Sequence, residues 1–230
     1  MLATSRKFQK AALSVAFFLF ALILIPVRPQ AAPAQDLALI AAAEGGDSAA
    51  VEKLLREGAS IGAGDARGRT ALLAATQADR VETARLLIVA GADVNAKDAI
   101  GDSPFLYAGA EGRNEILKMT LAAGADLKST NRFGGTALIP AAHHGHVETV
   151  KILLATAIDK DHVNKLGWTA LLEAVILGDG GPAHTEIVRL LVGAGANVNL
   201  ADRDGVRPLA HARRRVFAAI GHILESAGAR

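Results

Sequence analysis

The sequence predicts an all-α solenoid of stacked helix-turn-helix units joined by short β-hairpin loops. Three observations carry that prediction. Gly68, Gly101, Gly134 and Gly167 are each 33 residues apart, and Gly58, Gly91 and Gly124 keep the same step. Thr70, Ser103, Thr136 and Thr169 repeat with them. A constant period of this length marks stacked supersecondary units, none of which buries its apolar face alone. The composition agrees. The 230-residue chain is 51% hydrophobic but only 4% aromatic, with Ala and Leu dominant, which favours helices packed through small residues over a β-sandwich.

The N-terminus reads differently from the rest. Met1 to Lys10 carries Arg6, Lys7 and Lys10, and Ala11 to Val27 is uncharged and mostly apolar. Ala32-Pro33-Ala34 then precedes Gln35. A basic segment, an apolar run and a small-x-small site form the order of a secretory signal peptide. Residues 1–34 are therefore expected to be a signal peptide cut between Ala34 and Gln35. If retained, they form an N-terminal membrane anchor with the basic end in the cytoplasm. The expected destination is the periplasm or the medium. The alternative is the inner membrane, with the remaining chain facing the periplasm.

The overall charge of +2 follows from this segment. Residues 1–34 hold four of the 25 Lys and Arg and none of the 23 Asp and Glu, leaving 21 against 23. A nearly neutral remainder gives no reason to expect nucleic acid. The chain has no cysteine, which excludes a disulfide framework, thiol catalysis and cysteine-bound zinc.

Residues 35–230 are read as one repeat domain of about six units: 36–64, 65–97, 98–130, 131–163, 164–201 and 202–230. The second reads DARGRTALLAATQADRVETARLLIVAGADVNAK. Thr70, Ser103, Thr136 and Thr169 sit where a hydroxyl can cap a first helix. Pro104 and Pro208 occupy the first helical position, where a missing N–H costs nothing. Leu86-Leu87, Ile152-Leu153 and Leu190-Leu191 form the apolar stripe of a second helix. Gly91, Gly124 and Gly195 follow it, where a left-handed cap suits glycine. Ala157-Ile158 replaces Gly-Ala in the fourth unit, so that turn is expected to rearrange. Pro140 inside a first helix requires that helix to bend or be short. Asp179 to Ala183 is a five-residue insertion within the fifth unit, expected to be a surface bulge.

A turn glycine, a Thr-led first helix, a V-x-x-L-L second helix and a Gly-Ala-Asp-Val-Asn ending resemble the ankyrin repeat. The resemblance covers Asp36 to Arg230, with the two end units degenerate. It implies a non-catalytic module that binds another protein through a concave surface of hairpin tips and inner helices. A membrane-tethered assembly factor and an inhibitor or regulator of an exported enzyme are its alternatives.

The residue before each turn glycine is Arg67, Ile100, Phe133, Leu166 and Asp204. Three consecutive large apolar residues at one projecting position suggest an interaction strip, with Arg67, Arg132 and Lys165 as a polar rim. Tyr107, Pro140, Glu173 and His211 are placed on inner helices facing the same concavity. Trp168 is a further candidate, because tryptophan is enriched in binding hot spots.

Other chemistry finds little support. His143, His144 and His146 lack an acidic or thiolate ligand at a spacing that completes a metal site. No Gly-x-Ser-x-Gly elbow is present, and Gly178 to Gly181 lacks the Lys-Ser/Thr of a phosphate loop. No catalytic residue, cofactor, metal or small-molecule substrate is expected. The expected partner is an unidentified protein, with a membrane only if the N-terminal segment is retained. Arg213-Arg214-Arg215 is read as a solvated capping face.

Overall fold

A computed structural model describes residues 33–230. The segment read as a signal peptide lies outside the described residues except for Pro33 and Ala34. The bond between Ala34 and Gln35 falls in the first turn of the first helix.

Twelve helices follow as six pairs: α1 (Pro33–Gly45) and α2 (Ser48–Arg56), α3 (Ala71–Gln77) and α4 (Val81–Val89), α5 (Pro104–Ala110) and α6 (Asn114–Ala122), α7 (Leu138–His143) and α8 (Val147–Leu154), α9 (Ala170–Ile176) and α10 (Pro182–Gly193), α11 (Pro208–Arg214) and α12 (Ala218–Ser226). Odd-numbered helices pack in series as one layer, and even-numbered helices as a second. Leu72, Phe105, Leu138, Leu171 and Leu209 occupy equivalent inner-helix positions and are buried. They form a continuous core that passes from unit to unit.

The loops between units differ from the expected hairpins. Among the described residues the only β-pairing is an isolated bridge between Gly64 and Thr70. Side chains replace the ladder. Asp65 Oδ1 accepts the backbone N–H groups of Arg67 and Arg69 at 2.9 and 3.0 Å. Asp98, Asn131, Asn164 and Asp202 do the same for the residues two and four positions on. One short polar side chain therefore holds each tip, as Asp and Asn do in turns. Neighbouring tips also bond: Ala99 N–H donates to the Arg67 carbonyl at 2.8 Å and Lys165 N–H to the Phe133 carbonyl at 2.9 Å.

Three of the four expected caps are present. Thr70, Ser103 and Thr169 each accept the N–H three residues on at 3.2 Å. Thr136 does not, and among the described residues its buried hydroxyl oxygen has no partner. Pro140 is the cause. In the other units the N–H four residues after the Thr or Ser donates to that residue's carbonyl, as from Ala74, Tyr107 and Glu173. Proline has no N–H to give. The Thr136 carbonyl accepts instead from Ile139 N–H at 3.1 Å, which takes the donor that its hydroxyl would have used. Helix α7 starts one residue late as a result. Pro140→Ala is expected to restore the cap and raise unfolding stability by about 1–2 kcal/mol, measured by urea denaturation.

The fourth unit also closes differently. At the ends of α4, α6 and α10 a left-handed glycine allows paired N–H bonds back into the helix. Ala157 stays out of the left-handed region. Thr156 takes over, donating its hydroxyl to the Leu153 carbonyl at 2.6 Å and accepting Ile158 N–H at 3.2 Å.

The insertion is pinned rather than a loose bulge. His184 bonds Asp179 through Nδ1 at 2.8 Å and donates Nε2–H to the His143 carbonyl at 2.9 Å. Arg215 donates to the carbonyls of Ile176 and Gly178, and the Phe217 ring lies against Gly180. Arg213 pairs with Glu225 at 2.7 Å. Two of the three arginines read as a solvated face thus have partners, and Arg215 ties the last unit to the end of α9, just before the insertion.

Candidate concave cleft

The tips and inner helices of the middle units enclose a cleft of about 480 Å³. Its walls come from the tips around Ile100, Phe133 and Leu166, and from helices α5, α7 and α9. Six of the nine residues singled out in the sequence line it: Ile100, Tyr107, Arg132, Phe133, Leu166 and Glu173. The three apolar tip residues do not shield one another completely, because Ile100 is 53%, Phe133 51% and Leu166 47% exposed. The Arg132 guanidinium lies 4.8 Å from the centre of the Phe133 ring.

The other three candidates lie outside the cleft lining. Arg67 is exposed at the second unit's tip, where its carbonyl serves the tip-to-tip bond. Lys165 Nζ donates to the Arg132 carbonyl at 3.0 Å, so it joins tips. Trp168 is partly buried, and its backbone N–H goes to Asn164 Oδ1. Pro140 lines the cleft as expected of an inner-helix residue, but His211 does not. His211 Nε2 bonds Asp202 Oδ2 at 2.7 Å instead.

The floor of the cleft is polar. Glu173 is only 6% exposed, and its Oε1 accepts from Asn164 Nδ2 at 2.8 Å. His143 Nδ1 stands 3.7 Å from Oε2, too far for a hydrogen bond. Burial pushes the Glu173 carboxyl up to about 7, against the opposing effects of the Asn164 bond and nearby His144. Burial, with His144 and His184, holds the His143 imidazole below its ordinary range. Both groups are thus biased toward their neutral forms, and their approach is a contact rather than an ion pair. Asp102 is raised by burial and by Asp98, with Arg132 opposing. Burial likewise raises the Tyr107 phenol.

Asn164, Asp102 and Glu111 also line the cleft and were not singled out from the sequence. A signal for the first existed, since Asp65, Asp98, Asn131, Asn164 and Asp202 each stand three residues before a turn glycine. Among the described residues no group of three or more His, Cys, Asp or Glu is arranged to hold a metal ion. His144 Nδ1 donates to the Ala110 carbonyl at 2.8 Å, an inter-unit tie.

The family model for ankyrin repeats in three copies matches residues 11–98 and 105–202. The chain belongs to the ankyrin-repeat family. An ankyrin repeat domain from Acinetobacter baumannii, known from its crystal structure, is 57% identical. The two superimpose with a TM-score of 0.81 over 84% of this chain and 98% of that one. The ankyrin repeat domain of Bcl-3, a member of the IκB protein family, is 29% identical with a TM-score of 0.76 over 84% of this chain and 86% of that one. YahD of Escherichia coli is 46% identical over 57 residues, which span 25% of this chain and only 28% of YahD. Ankyrin repeats are in general protein–protein interaction modules, and the repeats here fill nearly all of the described chain. No helix among the described residues is long and apolar enough to cross a membrane.

Proposed function

We propose that this chain is an exported, non-catalytic binding module that holds a partner protein in the concave cleft. The observation that carries the reading is the convergence of Ile100, Phe133 and Leu166, all about half exposed, around one polar-floored concavity. A preformed surface keeps the ordering cost of binding low. Apolar anchors surrounded by charged residues are the anatomy of an interface core and rim.

The test is crosslinked affinity capture from an envelope extract, with wild type beside the Ile100→Ser, Phe133→Ser, Leu166→Ser triple variant. All three side chains are partly exposed, so the variant is expected to fold, which circular dichroism checks. Loss of a specific partner from the folded variant is the expected result. Equal capture by both forms moves the binding surface elsewhere, and no specific capture by wild type removes the interaction reading.

Export rests on the residue order of the first 34 positions. Processing after Ala34 removes only Pro33 and Ala34 from α1, where the first N–H groups have no partner within the helix. N-terminal sequencing of the protein recovered from cells is expected to begin at Gln35. A start at Met1, with the protein in the membrane fraction, supports the tethered form instead.

A further inference from the structure

Glu173 is a poor choice for stability alone. It is buried on an inner helix where the equivalent residues are Ala74, Tyr107, Pro140 and His211. A buried carboxylate is tolerated when a charge and hydrogen bonds compensate it. Here only one oxygen is served, by Asn164. Among the described residues the other, Oε2, receives no hydrogen bond from the protein, and no lysine or arginine reaches the carboxylate. The nearest basic group, His143, is held toward its neutral form by burial. Among the described residues the cleft lining is acidic, with Asp102, Glu111 and Glu173 against Arg132 as its one permanent cation. That cation is already turned toward Asp102, at 3.7 Å, and the Phe133 ring.

We propose that the cleft takes a lysine side chain of the protein partner, its ammonium on Glu173 Oε2 and its methylene stem against Phe133 and Leu166. The inference rests on the cleft being the protein-binding surface. Charge complementarity selects a cation. The served state of Oε1 selects lysine over arginine, because a guanidinium fork wants both carboxylate oxygens while an ammonium needs one acceptor. The apolar walls suit the long stem of lysine, whose methylenes pack while the head group stays polar. Flanking apolar residues of the partner segment would sit at the Ile100 end.

The experiment uses short randomised peptides on beads, with the central position fixed in turn as lysine, Nε-acetyl-lysine, arginine or leucine. The purified protein is applied as wild type, as Glu173→Gln and as the triple serine variant. Gln keeps the shape and the Asn164 bond, so folding is retained and is checked by circular dichroism. The expected result is roughly tenfold or greater preference of wild type for lysine over acetyl-lysine. Glu173→Gln loses that preference but still retains peptides, and the triple variant retains fewer peptides from every set. Retention by wild type with no preference for lysine, or a preference that survives Glu173→Gln, overturns the lysine anchor while leaving peptide binding intact. A wild-type preference for arginine overturns the choice of cation. Failure of wild type to retain any set above the triple variant overturns the cleft as a protein-binding surface, and the anchor with it.

Discussion

Glu173→Gln is expected to make the protein more stable at pH 8 by ~3 kcal/mol and to leave its stability at pH 4 nearly unchanged. The carboxyl ionises near 4.5 in the unfolded chain but at about 7 in the folded one, chiefly because it is buried. Between those values the folded state holds a proton that the unfolded state has lost. Stability from this group is therefore fully present below pH 4.5 and declines as pH rises to about 7. Above that, folding carries the whole cost of an ionised buried carboxylate. Gln has no proton to lose and keeps the bond from Asn164. His143 acts in the opposite sense, since burial lowers its imidazole below 6.5 and costs stability as pH falls. Comparing variant with wild type at each pH separates the two groups. Urea denaturation at pH 4, 6 and 8 reads the difference. A constant gap across the range would mean that Glu173 ionises as an ordinary exposed carboxyl.

Phe105→Ala is expected to cost about 3–5 kcal/mol. Phe105 is completely buried in α5. It stands where Leu72, Leu138, Leu171 and Leu209 stand in the other units, so it fills more space than its counterparts. Its loss opens a cavity between the second, third and fourth units. In a linear stack each unit is held only by its neighbours, so a weak centre breaks the coupling between the two ends. Phe105→Ala is expected to lower the urea midpoint and split the transition into two. Leu209→Ala, in the last unit, is expected to loosen only the C-terminal end. A single unsplit transition in Phe105→Ala, shifted no more than in Leu209→Ala, would mean that the stack does not transmit stability through this layer.

Much of the fold was legible in the sequence because its determinants are local and repeated. The 33-residue step, the Thr and Ser caps and the glycines after the outer helices each act within a few residues. Thr136 failed as a cap because its partner atom was commandeered by the consequence of a proline four residues away, an effect visible only when the bonds are counted. The expected β-pairing gave way to Asp and Asn side chains, which recur three residues before each turn glycine. The strip of Ile100, Phe133 and Leu166 was found from its register. The unserved oxygen of Glu173 was not, since it depends on how the Asn164 tip bends over α9. The binding of Arg215 to the carbonyls of Ile176 and Gly178 joins residues nearly 40 apart in sequence and has no local signature.

The tip architecture has a consequence for how such a protein changes over generations. At each tip one Asp or Asn oxygen holds two main-chain N–H groups. The residue at the apex contributes its backbone N–H to that grip, and its side chain takes no part in it. Arg67, Ile100, Phe133, Leu166 and Asp204 show how freely that letter varies along one chain. Drift can therefore change the chemistry of that surface, one apex at a time, without renegotiating the scaffold beneath.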